Sequence, residues 1–554
     1  MQTDMATRDH DRTDPTDRRW LNGHVSPSGV LLGFLLFAAS LTPSLIPRNA
    51  LMQGLLGGAS FVIGYGIAVG LVAIWVWLGF RPLGGRRTGL ALAVAGALVA
   101  AACLLRAPYW QDSIRELMGL PPLESVHRIE VLGLAIATAA VLFAVAWLFK
   151  LLARLLMRAA RPYVPERVAI LTALIVAAAL FATLIDGVLV RYMLVVLDTS
   201  YAQLDELVEP DTEKPAEPWK TGSAESLVSW IDLGREGRRF IDGIPERADI
   251  AEFWSGDAVQ PVRVYVGLNA ADTADERAEI ALAEMLRVGA FDRAVLAVAI
   301  PTGTGFMDQN AIETLEYLHR GDVATVAAQY SYLQSPFSLI FEPGYGAETA
   351  HALLKAVYDH WTGLPENDRP RLYLQGLSLG ALSSEQSLRL HEIIGDPLQG
   401  ALWSGPPFPS PIHSWATADR NPQSPEWLPT FEDGSLIRFM NKPEIPEGES
   451  DWGPLRVVYL QHASDPIVFF STDMLWQVPD WMRHPRGPDV SPKMRWVPVV
   501  TALQVAADMA LSNNAPIGHG HQYAAASYID GWIAVTAPDI DPADIDRLKA
   551  RFAQ

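Results

Sequence analysis

The sequence predicts two architectures in one chain: an all-α transmembrane helical domain, then a mostly parallel sheet with helices on both faces. Three observations predict it. Long uncharged apolar runs are concentrated in the first third of the chain, where they are long enough to cross a bilayer. Beyond them, short strand-like segments alternate with helical ones, the pattern of strands joined by helical crossovers. One of those strands runs into Gly376-Leu377-Ser378-Leu379-Gly380 and then a helix, a sharp turn with a serine at its apex.

Composition bounds the functional classes. Of 554 residues, 50% are hydrophobic and 19% charged, which suits a membrane protein with a large soluble part. The formal net charge of -19 argues against a nucleic-acid partner, whose phosphates reward basic patches, and serves solubility. The one cysteine, Cys103, lies within an apolar run, so neither a disulfide framework nor a cysteine zinc site is available within one chain. The histidines show no H-E-x-x-H or comparable spacing, and no catalytic metal or cofactor is expected.

Residues 1–27 are polar and charged and read as a cytoplasmic tail. Residues 28–197 read as the transmembrane domain, with about five spans. These are Ser28 to Pro47, Leu51 to Phe80, Gly89 to Leu105, Ile129 to Phe149, and one within Arg167 to Leu197. In Ser40-Leu41-Thr42-Pro43-Ser44-Leu45-Ile46-Pro47-Arg48, the two prolines break or end the first span. Asp186 is expected near the outer end of the last span, where a carboxylate reaches interfacial water.

Positive residues favour one side of this arrangement. The arginines of the tail, Arg81, Arg86, Arg87, Lys150, Arg154, Arg158, Arg161 and Arg167 fall together; Arg48, Arg106, Arg115, Arg128 and Arg191 oppose them. With the tail inside and an odd number of spans, everything after Leu197 lies outside the cytoplasm. The conclusion inverts if the count is off by one.

Residues 198–223 are acidic and proline-bearing, a linker, and residues 224–554 form the catalytic domain. Within it, strands are expected at Val262 to Leu268, Ala294 to Ile300, Val323 to Ala328, Arg371 to Gln375, Ala401 to Trp403 and Leu455 to Gln461. Helices are expected at Ala274 to Val288, Gln309 to Leu318, Ala347 to Trp361, Ala381 to about Ile394 and Ala524 to Val535.

In an open parallel sheet, reactive groups gather at the carboxyl ends of the strands. Ser378 ends one strand in this way. Asp465, in His462-Ala463-Ser464-Asp465-Pro466, follows a later strand at the same edge, and Gly518-His519-Gly520-His521 precedes the last of these helices. Serine, aspartate, histidine is the chain order of the α/β-hydrolase arrangement. A serine hydroxyl is a poor nucleophile at neutral pH, so a histidine must take its proton and a carboxylate must orient that histidine. Ser378 is the nucleophile and Asp465 the orienting carboxylate; His519 suits the base slightly better than His521, which fits nearly as well.

Two backbone N–H groups must stabilise the oxyanion. Leu379 supplies one, and the other is expected from Gly303 or Thr304 in Pro301-Thr302-Gly303-Thr304-Gly305-Phe306. Gly234 to Phe240 is arginine-rich but lacks a preceding strand, and reads as packing rather than an anion site. Trp403, Trp415, Trp427, Trp452, Trp476 and Trp481 line an acyl pocket or fill the core.

Taken together, these motifs resemble bacterial membrane-associated α/β-hydrolases with an N-terminal multi-span region, common in actinobacteria, over nearly the whole chain. The resemblance implies a hydrolase fold and an esterase-like or lipase-like activity without a settled substrate. The expectation is a membrane-anchored serine hydrolase acting on a lipid or cell-envelope ester, with the bilayer as its partner. An acyltransferase using the same triad and a non-catalytic carrier or scaffold are the alternatives.

Overall fold

A computed structural model of the chain describes residues 26–80, 86–123, 127–184, 205, 212–333 and 344–553. The tail to Val25, Arg81, Asp186, Arg191 and most of the first half of the linker lie outside the described residues. The chain divides into two compact units. One comprises the chain to Leu41, Gln53–Ala107 and His127–Ala144; the other comprises Thr42–Met52, Pro108–Val126 and Val145–Gln554.

Among the described residues, the first helices are α1 (Pro27–Ser40), α2 (Ala50–Trp77), α3 (Arg86–Arg115), α4 (Arg128–Ala160) and α5 (Glu166–Leu184). The last four are long and apolar enough to cross a membrane. The expected first span is shorter: α1 has 14 residues. At about 1.5 Å per residue it falls short of a hydrocarbon core of roughly 30 Å. Ser26 caps its start, accepting from the Gly29 N–H, and the chain leaves the helix before Pro43. Small residues let α1 and α2 approach closely. A Cβ on Gly33 would lie 2.9 Å from the Phe61 carbonyl oxygen, and one on Gly64 would lie 2.7 Å from that of Leu32.

The second unit is built on seven strands: β1 (Val262–Val266), β2 (Val295–Ile300), β3 (Val323–Ala328), β4 (Arg371–Leu377), β5 (Gly400–Ser404), β6 (Ile437–Met440) and β7 (Arg456–Leu460). They form one all-parallel sheet in the order β1-β3-β2-β4-β5-β7-β6. Every residue of β2 is buried, as expected where both faces are covered. From Val295 to Val298 its side chains alternate between two cores, Leu296 and Val298 in one and Val295 and Ala297 in the other, and Ala299 and Ile300 both join the first. The four-residue edge strand β6 was not expected from the sequence; it is too short to carry a period.

The strand order places a topological switch point between β2 and β4. From β2 the chain crosses to β3 on one side, and from β4 it crosses to β5 on the other. Their carboxyl ends therefore bound a crevice.

Thr42–Met52 and Pro108–Val126 belong to this second unit. Leu45 and Ile46 are buried in one cluster with Trp481, Met494, Val505 and Leu511, and the Ser113 and Ser491 hydroxyls are 2.8 Å apart. Trp403 and Trp481 are fully buried packing residues, whereas Trp476 is 64% exposed, so the tryptophans do not form one pocket lining. Arg238 is buried and donates to the Asp205 carbonyl at 2.7 Å, which makes it a packing residue.

Candidate active site

The elbow is forced by contact. Ser378 holds φ 56° and ψ -125°, a region that L residues rarely occupy. A Cβ on Gly376 would lie 2.4 Å from the Gly380 carbonyl carbon, and one on Gly380 would lie 2.0 Å from the Ile300 carbonyl oxygen. Neither position accepts a side chain without backbone movement. The Ser378 N–H donates to the Ser404 carbonyl at 2.9 Å, tying the apex to the end of β5.

The Gly380 contact also brings the end of β2, and the loop that follows, against the elbow. That loop folds on itself: the Thr302 N–H donates to the Phe306 carbonyl at 3.0 Å and the Gly305 N–H to the Thr302 carbonyl at 2.9 Å. The Tyr265 hydroxyl donates to the Gly305 carbonyl at 2.8 Å from beneath. The N–H groups of Gly303 and Thr304 make no hydrogen bond among the described residues. Leu379 opens the helix Leu379–Ser387, where an N–H lacks a carbonyl of its own helix. Two sources of free N–H groups thus adjoin the switch-point crevice.

Asp465 follows β7 and is fully buried. One of its oxygens accepts from the Ile467 N–H at 2.9 Å. The other accepts from His521 Nδ1 at 2.6 Å and from the Tyr523 hydroxyl at 2.7 Å. A neutral imidazole that donates from Nδ1 presents an unprotonated Nε2. His521 Nε2 is buried and has no hydrogen-bond partner among the described residues. The imidazole packs beside Gly405, where a Cβ would lie 2.5 Å from its Cε1. Ser378 and His521 therefore both border the Ser404–Gly405 step, one through its N–H and the other through its ring.

His519 makes no hydrogen bond to Asp465. Its N–H donates to the Pro516 carbonyl at 3.0 Å, and its Nδ1 is buried without a partner among the described residues. The structure pairs Asp465 with His521, reversing the slight preference that the sequence gives His519. The two residues occupy alternate positions across Gly520, so a choice of one sends the other side chain elsewhere.

The histidine loop is clamped by the residues flanking Asp465. The Gly520 N–H donates to the Ser464 hydroxyl at 2.9 Å, His462 Nδ1 donates to the Gly520 carbonyl at 2.9 Å, and the Ser464 hydroxyl donates to Asp489. Burial holds His462 below its ordinary pKa, so it serves here as a neutral donor. Tyr523 stacks on His462 at 4.5 Å, and burial together with Asp465 pushes its hydroxyl well above the usual range. It remains a donor. Asp308, at the start of the helix Gln309–Leu318, accepts from the Tyr528 hydroxyl at 2.8 Å, and burial raises its pKa to about 6.

Sequence reasoning gave no role to Tyr523, His462 or Ser464. Their places next to the expected histidine and aspartate were visible, but their partners were not. Among the described residues no group of three or more His, Cys, Asp or Glu side chains is arranged to hold a metal ion.

Comparison with known proteins agrees with this architecture. The model described as "Alpha/beta-hydrolase family" matches residues 262–548, and the model described as "Alpha/beta-hydrolase family N-terminus" matches residues 41–245. No curated protein and no solved structure matches the chain significantly.

Proposed function

We propose, for a chain that belongs to the alpha/beta-hydrolase family, a membrane-anchored serine hydrolase that cleaves a lipid or cell-envelope ester through an acyl-Ser378 intermediate. The observation that carries the reading is His521, bonded to Asp465 at 2.6 Å through Nδ1, with a buried Nε2 that has no partner among the described residues and a ring that packs beside Gly405, the residue after the carbonyl to which the Ser378 N–H donates. His521 Nε2 takes the Ser378 hydroxyl proton as the oxygen attacks the ester carbonyl. The oxyanion forms against the N–H of Leu379 and that of Gly303 or Thr304. As the tetrahedral intermediate collapses, the ester C–O bond breaks and His521 returns the proton to the leaving alcohol. Water, deprotonated by the same nitrogen, then attacks the acyl-serine; as the bond from the acyl carbon to Ser378 Oγ breaks, His521 returns the proton to that oxygen and the acid is released. Asp465 keeps the imidazole oriented and stabilises its charge in each step.

Two features favour an apolar acyl group. Phe306, in the oxyanion loop, is 42% exposed, and Ile517, in the histidine loop, is 69% exposed. The segments carrying them therefore offer apolar surface to a substrate.

Catalysis is assigned to the extracytoplasmic side. The connection from α1 to α2 bonds to Asp508 through the Leu45 and Ile46 N–H groups, and Ser113, at the end of α3, bonds to Ser491, so both connections are assigned to the side of the bilayer that holds the sheet. Arg81, Arg86, Arg87, Arg154, Arg158, Arg161 and Arg167 fall in or beside the connections at the other ends of α2 to α5. Placing those residues in the cytoplasm obeys the positive-inside bias.

Intact cells treated with a membrane-impermeant fluorophosphonate test both parts. Wild-type protein is expected to label and Ser378→Ala to stay unlabelled. Equal labelling of the two would remove Ser378 as the nucleophile, and labelling seen only after lysis would reverse the orientation.

A further inference from the structure

The segment Thr42–Arg48 has no place in the chemistry above, yet it reaches the histidine loop. It lies between α1 and α2 in the chain and folds into the catalytic unit. Asp508, fully buried on the helix Val500–Met509, accepts from the Leu45 N–H at 2.9 Å and the Ile46 N–H at 3.4 Å. Arg48 Nε lies 3.6 Å from the other Asp508 oxygen, and both side chains are withdrawn from solvent. Gln504, one helical turn before Asp508, donates to the Thr42 carbonyl at 3.0 Å. Pro43 and Pro47 limit the backbone between these anchors. A buried carboxylate with a buried guanidinium is costly unless paired, so the segment and the helix are strongly constrained to stay together.

What this anchoring positions is Ile46. Its side chain is 1% exposed, and its Cδ1 would lie 3.2 Å from a Cβ placed on Gly520. Gly520 has φ +55°, and a Cβ there would also meet Ala515 Cβ at 2.7 Å. The residue immediately before His521 is thus bounded on one side by Ile46 and Ala515, and fixed on the other by Ser464 and His462. The hydrogen bonds set how Gly520 is held; the Ile46 wall sets how far it can retreat.

We propose that Thr42–Arg48 is a positioning element for His521, acting through Ile46 on Gly520 and held in register by Asp508. The proposal rests on Ser378 and His521 acting as nucleophile and base. Ile46 touches no reacting atom in this account. It keeps Nε2 at the distance from which it can take the serine proton, and displacement of a catalytic group by about 1 Å can cost roughly 100-fold in rate. A fragment beginning after α5 lacks this wall, so the hydrolase fold alone is an incomplete active site.

The test uses the full-length protein in detergent and a fluorophosphonate, with the saturable inactivation rate, the half-saturating concentration and the final labelling stoichiometry each measured. Ile46→Val removes only the δ-methyl, Ile46→Ala removes more, and Ile46→Leu restores a methyl at that distance. Expected for Ile46→Ala is an inactivation rate lower by about 10- to 100-fold, with half-saturation and stoichiometry unchanged. Ile46→Val should fall between, and Ile46→Leu should recover most of the rate. Asp508→Asn, which keeps the side-chain volume, should reproduce the Ile46→Ala pattern in the protein that folds. A wild-type rate in Ile46→Ala at full stoichiometry would overturn the proposal. So would a loss of stoichiometry with the remaining molecules reacting at the wild-type rate, the signature of a contact needed only for folding. If the wild type gave no adduct on Ser378, the hydrolase reading itself would fail, and the positioning role with it.

Discussion

The elbow at Ser378 is built on five consecutive residues, whereas the loop carrying His521 is held by three separate parts of the chain. At the elbow, Gly376 and Gly380 permit a turn in which backbone packs on backbone, and the place of Ser378 at its apex follows from local sequence. At the histidine loop, Asp465 and Ser464, His462, the stretch around Ala515 and the distant Ile46 each supply one constraint. The difference teaches where the protein is robust. A contiguous motif that meets its surroundings through backbone atoms is disturbed chiefly by changes in its own residues, while a loop held by distant side chains can be disturbed from any of its supports.

The largest effect that sharpens this contrast is at Asp465. Asp465→Asn should lower the rate of Ser378 labelling by about 10⁴-fold, because the amide no longer fixes the His521 tautomer. Steady-state or labelling kinetics at neutral pH would show it, and a loss under tenfold would leave the carboxylate without an orienting role.

The glycines give the next contrast. Gly380→Ala places a Cβ 2.0 Å from the Ile300 carbonyl oxygen, a contact that only backbone movement relieves. It should destabilise the fold by about 1–3 kcal/mol or more, read as a lower melting temperature. Gly520→Ala meets a side-chain methyl instead, so its loss in melting should be smaller while its labelling rate falls further. The reverse pattern would break the comparison.

A smaller effect concerns Glu385, seven residues after Ser378. It accepts from the Ile412 N–H at 2.8 Å and from the Tyr459 hydroxyl at 3.0 Å, and burial raises its pKa from 4.5 to about 7. The folded protein therefore binds this proton more tightly than the unfolded chain does. Its contribution to stability is complete below about 4.5 and is lost as the pH rises through about 7. Melting temperatures of Glu385→Gln should consequently fall less than those of wild type between these limits. Parallel curves would remove the group from the pH dependence.

The smallest expected effect is a gain. Ser378→Gly relieves the strained φ of 56° and should stabilise the protein by about 1 kcal/mol while abolishing reaction at that position. Chemical denaturation would measure it, and a destabilised variant would argue that no strain is stored there.

Legibility in the sequence followed the same division. The strands, their crossovers and the elbow could be read because their signals lie within a few residues: an apolar run, a helical period, paired glycines. The aspartate at the end of β7 could be read for the same reason. The base could not be fixed, since His519 and His521 share a composition and a neighbourhood, and only the Asp465 contact separates them. The first apolar run is longer than its helix because hydropathy runs on through residues 41–46, where α1 has already ended at Ser40 and the chain folds into the unit that holds the sheet. Leu45 and Ile46 are apolar because they enter a protein core, and a hydropathy pattern does not distinguish that from lipid.

The most direct test of the triad is peptide mapping of the fluorophosphonate adduct in two single variants of the full-length protein. The account predicts the adduct on Ser378 in wild type and in His519→Ala, at rates within about tenfold of each other, and a rate lower by about 10⁴-fold in His521→Ala. Retention of the wild-type rate in His521→Ala, with its loss in His519→Ala, would contradict it.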